Sequence, residues 1–218
     1  MNRHLSISYL GLRRLIGVIA IVHPALLYFG GLFIFGLSLQ PSMSHYYYTG
    51  MRDVFVGIDV CTGVFLLCYH GYSWQDRLLS LLAGVSAIIV ALFPTLPLGE
   101  ASDLQKTIAA VHAAAAIVFL ICLAVFCLVL FVRSDAGQVI SRQKRWRNRL
   151  YRLCGANIVL VLVVLGLYGC WPTMQDRLSQ TPFIFYLECL AFLSFGLAWL
   201  VKGQALLADV NQQHASSR

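Results

Sequence analysis

Long apolar runs separated by short polar breaks make up most of the chain: residues 15–37, 53–69, 78–96, 104–131, 150–171 and 183–201. At about 1.5 Å of rise per residue, each run as a helix approaches the ~30 Å of a bilayer's hydrocarbon, the second with little or no tilt. Hydrocarbon gives backbone groups no water, so spanning segments are helices or the strands of a closed barrel. Barrel strands are short and alternate polar with apolar residues, and these runs do not. The pattern predicts an all-α polytopic membrane helix bundle with six transmembrane helices, one domain over residues 1–218. The first run is longer than a signal-peptide core and has no small-residue cleavage site before the polar break, which predicts a retained span. Pro94 and Pro97 predict where the third helix stops, and Asp76 predicts a cap at its start.

Composition agrees with this pattern. Hydrophobic residues are 59% and charged residues 11%, with mean hydropathy +0.76, whereas a soluble domain carries about 25% charged residues. In a membrane protein the placement of the +7 net charge matters more than its size. With the N-terminus in the cytoplasm, 13 of the 16 Lys and Arg, from Arg3 to Arg218, fall on the inner side, leaving Arg52, Lys106 and Arg177 outside. That bias predicts both termini cytoplasmic. The basic loop 142–152, with Arg142, Lys144, Arg145, Arg147, Arg149 and Arg152, reads as a topology anchor that touches anionic lipid head groups. No Gly-rich phosphate loop accompanies it, and nothing points to nucleic acid. The seven cysteines show no Cys-x-x-Cys spacing and read as small apolar filler. Trp74, Trp199 and Lys202 read as interface anchors.

Two features carry candidate chemistry. The first is the polar, aromatic break between the first two runs: Ser42, Ser44, Tyr46, Tyr47, Tyr48, Arg52 and Asp53. Tyrosine gathers at interfaces, but the adjoining hydroxyls and charges suit a lipid head group or polar solute. The second is a set of ionisable residues inside the apolar runs: His23, Asp59, His112 and Glu188. Counted along their helices, Asp59, His112 and Glu188 lie roughly 9, 11 and 8 Å below the outer face, and His23 roughly 12 Å from the inner one. Such residues are expensive in lipid and mark function by default. The alanine-rich surroundings of His112 predict a central fourth helix, and Pro24 predicts a kink beside His23. Three readings stand. Asp59, His112, Glu188 and His23 can hold a divalent metal such as zinc, relay protons, or act as hydrogen-bonded glue between helices.

The segment Ser42-Met43-Ser44-His45-Tyr46-Tyr47, with Met51-Arg52-Asp53-Val54-Phe55-Val56-Gly57, resembles uncharacterised bacterial six-helix membrane proteins. Phe93-Pro94-Thr95 and Trp199-Leu200-Val201-Lys202-Gly203 carry the same likeness. It implies a multi-pass protein of a bacterial cell membrane, with no activity attached. A more distant resemblance, to the CREST membrane hydrolases that include alkaline ceramidases and adiponectin-receptor-like proteins, implies a zinc-dependent amidase acting on lipids. The chain departs from that family in having six spans rather than seven and no late His-x-x-x-His pair. The expectation is a protein with an outward-facing polar pocket that binds or moves a lipid or small solute, with a metal-dependent lipid hydrolase as the alternative.

Overall fold

A computed structural model describes residues 8–71, 73–133 and 141–207. Arg3 and Arg218 lie outside the described residues. The elements are α1 (Tyr9–Phe35), a 3-10 turn (Met43–Tyr48), α2 (Arg52–Leu67), α3 (Trp74–Leu92), α4 (Asp103–Val125), α5 (Arg142–Cys170), α6 (Pro172–Leu178) and α7 (Phe183–Lys202). The described residues contain no strand. Five helices are long and apolar enough to cross a membrane: α1, α3, α4 with its continuation to Leu130, α5 and α7. The second expected span is the exception. As α2 it has 16 residues, about 24 Å at helical rise.

The helices close into a ring in which α1 packs on α2, α2 on α3, α3 on α4, α4 on α5, α5 on α7 and α7 on α1. Successive members run in opposite directions. One end of the bundle therefore gathers the 3-10 turn and α6, called here the lip end. The other gathers Arg13, Arg133, Arg147 and Lys202, the basic end. Two joints of the ring rest on glycine. A Cβ on Gly63 of α2 would stand 2.7 Å from the carbonyl oxygen of Gly84 in α3, and a Cβ on Gly196 of α7 2.7 Å from that of Gly17 in α1. Small residues bring helix backbones this close, and dispersion contacts then hold them together. At a third joint Gly155 of α5 faces Cys127 and Leu128, in a single π-helical turn (Phe126–Leu130) that extends α4.

Local chemistry sets the helix ends. Ser73 caps α3 in a reciprocal capping box with Asp76, so Asp76 assists from the third position and is not itself the cap. The helix ends at Leu92, just before Pro94, as expected. Gly36 closes α1 in the left-handed region, with φ 64°, a conformation that favours glycine. α1 runs unbroken through Pro24. The basic segment 142–152 is not a loop. It forms the first turns of α5 behind the Ser141 cap, because Arg, Lys and Gln propagate a helix well while lowering hydropathy.

The outer surface of the ring is apolar: Phe33 is 78% exposed and Leu153 72%. The core at the basic end is aromatic. Trp199, 0% exposed, touches Tyr69, Phe126, Phe131 and Phe195 with ring centroids 4.8 to 5.7 Å apart. Trp199 is therefore a core residue and not an interface anchor. Its place near a helix end beside Lys202 looks interfacial in sequence, but its face of α7 points inward. Trp74, by contrast, is exposed. α4 is one member of the ring and not its centre: Ala113 and Ala114 face outward while His112 is buried.

Candidate functional site

Beneath the lip end lies a cavity of about 40 Å³. His23 of α1, Asp59 of α2 and Glu188 of α7 reach it from three helices, and Met43 and Ser44 of the 3-10 turn form its roof. Phe119, Leu120 and Phe192 line it on apolar sides. A water needs about 10–15 Å³ measured in this way, so the space holds a few waters or one small ion and no lipid chain.

His23 is the central group. It is 1% exposed, and among the described residues neither ring nitrogen has a hydrogen-bond partner. Its Nδ1 lies 3.5 Å from Oδ1 of Asp59, itself 4% exposed. That separation is an ion-pair distance and too long for a direct hydrogen bond. Phe55 and Phe192 flank the imidazole, with ring centroids 6.0 and 5.5 Å away. Buried polar nitrogens are normally paired, so a lone imidazole facing two carboxyl groups across a small cavity needs a proton or water between them.

The roof is fastened by specific bonds. The Met43 backbone N–H donates to Oε2 of Glu188 at 2.6 Å, and Phe185 N–H donates to the Pro41 carbonyl at 2.9 Å. His112 lies beside the cavity and not in its wall. Its Nδ1 is 2.6 Å from the Phe93 carbonyl and 3.2 Å from that of Val90. Carbonyls only accept, so Nδ1 carries the proton, and Nε2 accepts from the Ser44 hydroxyl at 3.0 Å. His112 thus reaches the cavity only through Ser44.

The remaining candidates of the break separate into roles. Ser42 accepts from the His45 N–H at 3.2 Å, and its Oγ lies 2.6 Å from His45 Nδ1. Burial, and then the neighbouring His112, hold the His45 imidazole below its usual pKa of 6.5. Tyr46 is buried against Phe185 and over Gly31. Tyr48 donates its hydroxyl to the Thr95 carbonyl at 2.6 Å. Arg52 donates to the Tyr47 hydroxyl at 2.7 Å and lies over its ring, while Asp53 is exposed in the first turn of α2. Ser44 therefore borders the cavity, Ser42, Tyr46, Tyr47, Tyr48 and Arg52 brace or cover the lip, and Asp53 stands exposed away from the cavity.

Among the described residues, no three His, Cys, Asp or Glu side chains are grouped so as to hold a metal ion. Asp59, Glu188 and His23 face one space without converging on one ion position, and His112 is engaged by carbonyls and Ser44. A second hollow, about 330 Å³, opens at the basic end between Leu67, His70, Trp74, Arg77, Leu78 and Leu81. It carries none of the acids that the cavity does. The buried cysteines Cys122, Cys127 and Cys154 are free and belong to the core.

The sequence singled out Asp59, Glu188 and His23 because each is an ionisable residue within an apolar run. The Ser44–His112 bond joins residues 68 positions apart, and no local pattern marks it. No family model, no curated protein and no solved structure matches the chain.

Proposed function

We propose that this is a six-span protein of a bacterial cell membrane, both termini cytoplasmic, that translocates a proton together with a small solute through the His23–Asp59–Glu188 cavity. The observation that carries this is His23. A fully buried imidazole with no hydrogen-bond partner among the described residues, 3.5 Å from one acid and sharing a small cavity with another, is poised to exchange a proton. If both acids were ionised with only one imidazole to balance them, net charge would remain in hydrocarbon, which is very unfavourable. The cavity volume favours a proton, water or small solute over a lipid tail. The basic end then faces the cytoplasm. There Arg142, Arg145, Arg149 and Arg152 form an exposed stripe on α5 beside Trp146, suited to anionic lipid head groups.

The test is proton movement into vesicles that contain the purified protein and an entrapped pH dye. It is run under an imposed potential, alone and with small inorganic ions such as ammonium and chloride. Protein-dependent flux that Asp59→Asn abolishes and Asp53→Asn preserves is the expected result. Wild-type flux no greater than that of empty vesicles under all these conditions overturns the proposal.

One observation favours a second reading, a lipid hydrolase. The Ser44 hydroxyl sits on an imidazole whose other nitrogen is fixed by carbonyls, the arrangement of an activated serine. Covalent labelling by a fluorophosphonate, lost in Ser44→Ala, would favour that reading. A cavity this small cannot seat an acyl chain beside Ser44, so the transport reading is preferred.

A further inference from the structure

The lip segment is held to the bundle by the same groups that border or adjoin the proton cavity. Glu188 faces the cavity and accepts the Met43 N–H at 2.6 Å. His112 accepts the Ser44 hydroxyl at 3.0 Å. The first of these bonds depends on the charge of its acceptor. A carboxylate accepts about twice as strongly as a neutral acid. A protonated His112 would donate from Nε2 to the Ser44 hydroxyl oxygen, so this bond changes direction and survives protonation. On the opposite side the cavity is closed by apolar packing. Phe119 and Phe192 meet at 6.1 Å, and Phe126, Phe195 and Trp199 lie beyond them.

From this geometry we infer that proton loading unlatches the lip, so that the cavity admits its small solute from the lip end. The inference rests on the cavity being the proton-binding site proposed above. Glu188 and His112 are positioning residues here: they act through Met43 and Ser44. The titratable groups around the first latch are His23 on α1, Asp59 on α2 and Cys189 on α7 itself. Around the second it is His45 on the lip, while α3 presents only the Val90 and Phe93 carbonyls. Protonating Glu188 weakens the Met43 bond, whereas protonating His112 only reverses the second bond, with Nε2–H donating to the Ser44 hydroxyl oxygen, so the proton-sensitive latch is Glu188–Met43. The remaining anchors, Phe185 to Pro41 and Tyr48 to Thr95, are not titratable in this range and act as the hinge side of the segment.

The experiment is hydrogen exchange of residues 43–49 in the full chain in lipid nanodiscs, corrected for intrinsic exchange, between about pH 5 and about pH 8. The background is His45→Gln, which removes that residue's own titration. The expected result is a roughly tenfold loss of protection toward acid, equivalent to about 1.4 kcal/mol. Glu188→Gln should show the low protection across the whole range, and Ser44→Ala should lower protection by a similar amount at every pH while leaving the pH dependence in place. Infrared difference spectra of the same samples follow carboxyl protonation. If the carboxyl band titrates while lip protection stays constant, the latch inference is overturned and the proton site stands. If no carboxyl titrates, the proton site and the latch fall together.

Discussion

Placing one methyl group at Gly63 tests how the cavity is assembled. A Cβ there would lie 2.7 Å from the Gly84 carbonyl oxygen and 2.6 Å from Cγ1 of Ile88, where ordinary contact begins at 3.4 Å. The oxygen belongs to a helix backbone and cannot turn aside, so α2 and α3 must separate by roughly the 0.7 Å shortfall. Overpacking of this kind costs about 1–3 kcal/mol. It also moves Asp59 on α2 relative to Ala87 and Val90 on α3, all of which border the cavity. Gly57, on the same helix, is the control: nothing lies within 4 Å of its Cβ position. There alanine should be neutral or stabilise by about 0.5–1 kcal/mol through helix propensity. Denaturant titration of the protein in mixed micelles, followed by helix content, gives both values. Gly63→Ala should unfold earlier than wild type and Gly57→Ala at the same point or later. Equal midpoints for the two variants would refute the close backbone crossing. Gly63→Ala with Gly84→Ala should cost less than the sum of the two, because one separation of α2 from α3 accommodates both methyl groups.

Three further predictions concern the ends of the bundle. His45 is held below its unfolded pKa by burial, so the unfolded segment binds more protons below about pH 6.5. Its contribution to lip stability is therefore present above that pH and lost as pH falls, and His45→Gln should flatten this component in limited proteolysis of the lip. Ser73→Ala removes the α3 cap and should destabilise the protein by about 1 kcal/mol in the same denaturant assay, whereas Ser102→Thr at the α4 cap should change little. Replacing Arg142, Arg145, Arg149 and Arg152 together by Gln should lower the protein's preference for anionic over neutral lipid in nanodisc exchange, by more at low salt than at high salt. An unchanged lipid preference counts against the head-group contact.

Hydropathy made the helical bundle legible, and ionisable residues within apolar runs made Asp59, Glu188 and His23 legible. Both signals arise from the same expense of burying polarity. What escaped the sequence depended on which way a side chain faces. Trp199 and Lys202 are three residues apart, yet the ring of Trp199 lies wholly in the core. His112 was correctly read as buried, but its partners are a serine on a 3-10 turn and two carbonyls at the end of α3, and those contacts exist only in the folded chain. Phe119 and Phe192 line the cavity, and nothing distinguishes them in sequence from phenylalanines that face outward, such as Phe33. The start of α5 was missed because hydropathy reports the solvent around a helix and not the helix itself.

The infrared difference spectrum of the purified protein, recorded as pH is stepped through the neutral range, reads out whether the cavity binds the proposed proton. The expected result is a protonated carboxyl band that Asp59→Asn or Glu188→Gln diminishes and that His23→Leu shifts. A spectrum with no such band, or one that none of the three substitutions alters, would contradict it.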